Sequence, residues 1–154
     1  MRRVVVDALY FVGLMNRVKL YAFVVMPNHV HAVVQCPEDH PLRDWARAFK
    51  AAVSRLVIRQ YQAEGNDAAL GALRVAVTHP KKQRYKVWED GYLAKDLFTP
   101  EVLRQKVEYI HTNPVQERWG LARTPEGYAW SSARFYVLGE PAVIPVQDVC
   151  ELLV

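Results

Sequence analysis

The sequence is short of cysteine, of long apolar runs and of charge of one sign. Two cysteines among 154 residues, Cys36 and Cys150, stand in different contexts without metal-type spacing, so a disulfide scaffold is excluded and both thiols are expected to be reduced and buried. No run approaches the roughly 18 apolar residues of a membrane span. The start, Met1-Arg2-Arg3 and then Val4-Val5-Val6 broken by Asp7, lacks a signal-peptide layout. No membrane association is expected, and the cytoplasm is the expected compartment. Repeats, low-complexity segments and Gly/Ser linkers are missing as well, which leaves one domain, residues 1–154, as the expected organisation. The 20 Lys+Arg against 16 Asp+Glu give +4, which permits a polyanionic partner without requiring one.

What is present is enough for a core, with 51% of residues in the hydrophobic set and 23% charged. Val5, Ala8, Leu9, Val12 and Met15 recur at helical spacing, with Gly13 and Asn16 marking the end of that helix. Two β runs follow, Arg17 to Val25 and His29 to Gln35, separated by the turn signal Met26-Pro27-Asn28, as in a short antiparallel pair. Leu42 to Tyr61 carries Trp45, Ala46, Phe49, Ala52, Val53, Leu56 and Val57 on one stripe, the pattern of a long amphipathic helix packed on the sheet. Ala68 to Val77 reads as a short helix and Tyr92 to Phe98 as a further strand. Thr99-Pro100-Glu101 opens a helix with an N-cap hydroxyl, a first-turn proline and an acid, and Asn113-Pro114 stops it. These elements make an α/β fold of the α+β kind.

Two features carry chemistry. His29-Val30-His31 lies in a β run, where the two-residue period turns both imidazoles to one face with backbones roughly 6–7 Å apart, a separation suited to one metal ion. Tyr109 lies about a third of a turn from the Leu103, Val107 and Ile110 stripe, at the rim of its helix. Asn113 falls one turn beyond it, whereas His111 points nearly opposite. Basic residues form two groups. Arg43, Arg47 and Lys50 border the long helix. Lys81, Lys82, Arg84 and Lys86 interleave with Tyr85 and Trp88, a mix that on single-stranded nucleic acid joins phosphate attraction to base stacking worth about 1–3 kcal/mol per base. Solvated helix edges and ordinary basic loops have the same composition.

Together these motifs resemble one family. Met26-Pro27-Asn28-His29-Val30-His31, Trp88-Glu89-Asp90-Gly91-Tyr92, Tyr109-Ile110-His111-Thr112-Asn113-Pro114-Val115 and Tyr128-Ala129-Trp130-Ser131-Ser132-Ala133-Arg134 are similar to the REP-associated tyrosine transposases of the single-tyrosine HUH superfamily. The resemblance spans roughly Leu20 to Tyr136. It implies that His29, His31 and Asn113 hold Mg²⁺ or Mn²⁺, imidazole ligands being easier to reconcile with Mn²⁺. It implies that Tyr109 attacks a DNA phosphate, forming a 5′-phosphotyrosine and releasing a 3′-hydroxyl. A phenol suits that role because phenols ionise well below sugar hydroxyls, which makes them adequate nucleophiles and reversible leaving groups. Lys106, one turn before Tyr109, is placed to steady the phosphate. Single-stranded DNA with imperfect hairpins is the implied substrate, gripped by the basic groups and Trp130; an aromatic plug followed by a helix cap is the other reading of Trp130-Ser131-Ser132.

The implied fold is a ferredoxin-like sandwich, with the histidines on a central strand of an antiparallel sheet and helices on one face. Its first strand is missing before the Met1 to Met15 helix, so either the start is truncated or the sheet lacks a strand. Exposed edges and self-pairing, as in a homodimer, are then expected, and the tail Ala142 to Val146 has β character suited to the vacancy. Three functions remain open: a metal-dependent single-strand transposase or nickase, a non-catalytic module binding hairpin DNA or RNA, and an interaction domain with a structural histidine pair.

Overall fold

The computed structural model describes residues 1–152. Helix α1 (Arg2–Met15) buries Val6, Ala8, Leu9, Val12 and Gly13. Its stripe is rotated from the one expected. Val6 enters the core while Met15 is 84% exposed, because the chain turns away through Asn16 and the positive-φ Arg17. Strands β1 (Lys19–Val25) and β2 (Val30–Gln35) pair antiparallel, and the Met26 N–H donates to the His29 carbonyl at 2.8 Å to close the turn. Then come α2 (Leu42–Ala63), α3 (Asp67–Val75), α4 (Pro100–Thr112) and α5 (Ala133–Leu138).

Strand alternation splits the interior in two. Phe23 and Val25 of β1, with Val30, Ala32 and Val34 of β2, pack on α1 and α2. Ala22, Val24, Met26 and Val33 pack on Leu103, Val107 and Ile110 of α4. Helices therefore cover both faces of the hairpin, not one face as expected. This explains why every residue from Tyr21 to Val25 is buried and why β1 reads as a continuous apolar run. Each such fully buried large side chain contributes about 1.5–3 kcal/mol.

Among the described residues the sheet has two strands, smaller than a ferredoxin-like sheet, and the His-bearing strand is not central. Tyr92 to Phe98 forms no strand. Lys95 and Asp96 set charges on both alternating faces of that segment, and Leu93 and Phe98 stay exposed. The second edge of β1 is nevertheless closed. Val25 N–H donates to the Trp130 carbonyl, Ser132 N–H to the Phe23 carbonyl and Gln147 N–H to the Leu20 carbonyl. Tyr128 Oη donates to the Val25 carbonyl and Tyr136 Oη to that of Tyr21, both at 2.8 Å. The cover expected from Ala142 to Val146 thus comes chiefly from 128–136, and β1 offers no open edge for self-pairing. Cys36 is half-buried and Cys150, expected to be buried, is exposed. No helix among the described residues is long and apolar enough to cross a membrane.

Candidate active site

The alternation of β2 turns His29 and His31 toward α4, and their ring centroids lie 4.9 Å apart, edge to face. Helix α4 begins where the Thr99 hydroxyl accepts from the Val102 N–H at 3.3 Å, an N-cap followed by Pro100 and Glu101. Its buried stripe of Leu103, Val107 and Ile110 docks it on the hairpin and leaves Tyr109 at the rim, 40% exposed. The Tyr109 ring sits 5.4 Å from that of His31, and Lys106 Nζ lies 5.7 Å over the Tyr109 ring. Asn113 retains helical angles, so the last turn survives Pro114 and its N–H bonds the Tyr109 carbonyl. Its side chain is fully buried, and neither Oδ1 nor Nδ2 has a hydrogen-bond partner.

Burial holds both imidazoles below the ordinary histidine range. Arg118 reinforces this at His29, and His29 and Lys106 do so at His31. Both rings are thus neutral at pH 7, the form that ligates metals. His29 Nδ1 shares a 2.7 Å hydrogen bond with Asn28 Oδ1, which, with the Nδ1 proton donated, leaves Nε2 free as an acceptor.

A family model described as Transposase IS200 like matches residues 2–113. The chain belongs to the IS200-like transposase family. No curated protein and no solved structure matches it. Membership carries a transposase-type function on DNA, and the matched span contains both histidines, Tyr109 and Asn113.

Elsewhere in this IS200-like transposase the structure redistributes the expected DNA contacts. Lys86 is 8% exposed and ion-paired to Asp90 at 3.1 Å and Glu89 at 3.7 Å, so its ammonium is engaged within its own loop and little of it faces solvent. Lys50 Nζ donates to the carbonyls of Glu89 and Gly91, each at 2.8 Å. It fastens the Trp88–Gly91 segment to α2. Trp130 is half-buried and packs against both core clusters. Arg43 and Arg47 are exposed beside Asp44, with Arg47 hydrogen-bonded to it. Lys81, Lys82 and Arg84 are exposed, and the guanidiniums of Arg74 and Arg84 flank the Tyr85 ring. A cavity of about 1150 Å³ runs along the outer edge of β2 from the histidines to Cys36, walled by α2 and by 87–100.

Two site residues escape the sequence reading, Arg118 and Trp119. The Trp119 ring lies 5.6 Å from that of His29 and carries the Arg118 guanidinium at 5.8 Å. Their only local signal is a cation next to an aromatic just past Pro114.

His111 points away from the site, as expected, and is buried. Its Nε2 shares a 2.8 Å hydrogen bond with Ser132 Oγ, which also accepts from the Phe23 N–H at 2.9 Å. This joins α4 to β1. Burial lowers its pKa from 6.5 to about 4. The fold therefore favours neutral His111, and the associated stability, on the order of 3 kcal/mol, is present above about pH 6.5 and drains away as pH falls toward 4. In chelator, the urea midpoint of the wild type should fall across that window more steeply than that of His111→Gln; parallel curves contradict the assignment.

Proposed function

We propose that this IS200-like transposase is a REP-associated tyrosine transposase: a metal-dependent enzyme that nicks and rejoins single-stranded DNA beside hairpins through Tyr109. The observation that carries the reading is a pair of adjacent neutral imidazoles, one of them, His31, against the Tyr109 ring, with Tyr109 one helical turn from a buried amide without a partner. A bare buried amide costs about 1–3 kcal/mol, which a ligand outside the chain would relieve. His29, His31 and Asn113 form a donor set that fits a divalent ion, Mn²⁺ or Mg²⁺. When bound, the ion supplies Lewis-acid polarisation of the scissile phosphate.

The chain's own residues supply the rest. The Tyr109 oxygen attacks phosphorus, the P–O3′ bond breaks, and the 3′ oxygen departs as a hydroxyl. The phenolic proton passes to solvent, and the departing 3′ oxygen takes a proton from solvent. The product is a 5′-phosphotyrosine that conserves the bond energy for rejoining. Lys106, with its Nζ 5.7 Å over the Tyr109 ring, is placed to attract the phosphate that Tyr109 attacks.

The test is strand cleavage of a hairpin-bearing single-stranded DNA. Cleavage with Mn²⁺ or Mg²⁺ that stops in chelator is expected. Salt-sensitive hairpin binding without cleavage in either metal would replace the proposal with the non-catalytic binding module.

A further inference from the structure

The rings of the site form a continuous row, Tyr109–His31–His29–Trp119, with neighbouring centroids 5.4, 4.9 and 5.6 Å apart. Each end of the row carries a cation, Lys106 over Tyr109 and Arg118 over Trp119. These cations differ from six others in the molecule. Arg3, Arg17, Arg43, Arg47, Lys86 and Arg134 each lie within salt-bridge distance of a carboxylate. Among the described residues neither Lys106 nor Arg118 does. Arg118 is exposed, and its Nε donates to Gln116 Oε1 at 3.1 Å. That bond fixes the direction of the guanidinium while leaving its terminal N–H groups for another acceptor.

Two unneutralised cations beside a pair of imidazoles repel any further positive charge. An anion lying among them is attracted by both. A phosphodiester chain has the matching form: repeated single negative charges, with oxygens that accept from a planar guanidinium in pairs.

We infer that Arg118, seated on Trp119 and held by Gln116, binds a DNA phosphate on the His29 side of the site, opposite the phosphate held beside Lys106 and Tyr109. The inference rests on the DNA-cleaving reading for its substrate. Arg118 is a positioning residue: it fixes the path of the strand past the histidines and takes no part in the bond exchange.

The test measures binding of a fluorescent hairpin-bearing single-stranded oligonucleotide across a salt series in chelator, independent of cleavage. Loss of one phosphate contact should flatten the slope of log K against log salt by about 0.7. Arg118→Gln is expected to show that change and a several-fold weaker affinity at low salt, and Arg118→Lys to restore the slope. In a cleavage assay Arg118→Gln should raise KM with little change in kcat. If the wild type binds and Arg118→Gln keeps its slope, the clamp is overturned alone. If the wild type does not bind the oligonucleotide, the clamp falls together with the reading beneath it.

Discussion

Tyr109→Phe is expected to abolish covalent capture of DNA, lowering adduct yield at least ~10³-fold, because it deletes the attacking oxygen and nothing else. The geometry makes this variant informative. Tyr109 is 40% exposed at the rim of α4, and among the described residues its hydroxyl makes no hydrogen bond. The ring that contacts His31 and Lys106 is retained. Thermal stability and salt-dependent hairpin binding should therefore match the wild type while the slow-migrating adduct on a denaturing gel disappears. An adduct of unchanged yield in Tyr109→Phe contradicts the assignment of the nucleophile.

Removing the imidazoles should act earlier, on the metal. Substituting even outer-shell partners of metal ligands commonly costs 10–100-fold in affinity, so His29→Ala with His31→Ala is expected to lose at least about 100-fold. The thermal midpoint of the wild type should rise with added Mn²⁺ by mass action, and that rise should vanish in the double variant together with cleavage. Proton competition gives a second signature. Burial and the neighbouring Arg118, Lys106 and His29 hold the two imidazoles below the ordinary range. Protons therefore displace the metal only at a pH below that at which free imidazole charges, and activity should persist as pH falls through 6.5. A Mn²⁺ response that survives in the double variant contradicts the site.

Much of this was legible in local patterns. Strand alternation alone puts His29 and His31 on one face, and the helical stripe through Leu103, Val107 and Ile110 leaves Tyr109 at a rim. Thr99-Pro100-Glu101 marks the start of α4 because capping is a local event. What stayed hidden depends on contacts distant in sequence. Lys50 meets carbonyls at 89 and 91, and Ser132 bonds His111 and Phe23. The edge of β1 is closed by residues more than a hundred positions later. Arg118 and Trp119 reach His29 only because the chain folds back past the 3₁₀ turn Asn113–Val115. The ion pair of Lys86 was legible, since Glu89 and Asp90 stand at i+3 and i+4.

On the proposed mechanism, one surface of β2 and α4 joins a metal-holding pair to a tyrosine nucleophile. Peptide mapping by mass spectrometry after incubation with Mn²⁺ and hairpin-bearing single-stranded DNA tests it directly. One 5′-phosphoryl DNA fragment is expected on the peptide containing Tyr109, formed with Mn²⁺ and missing in chelator. Attachment at any other residue, or no attachment when the DNA is bound and metal is present, contradicts it.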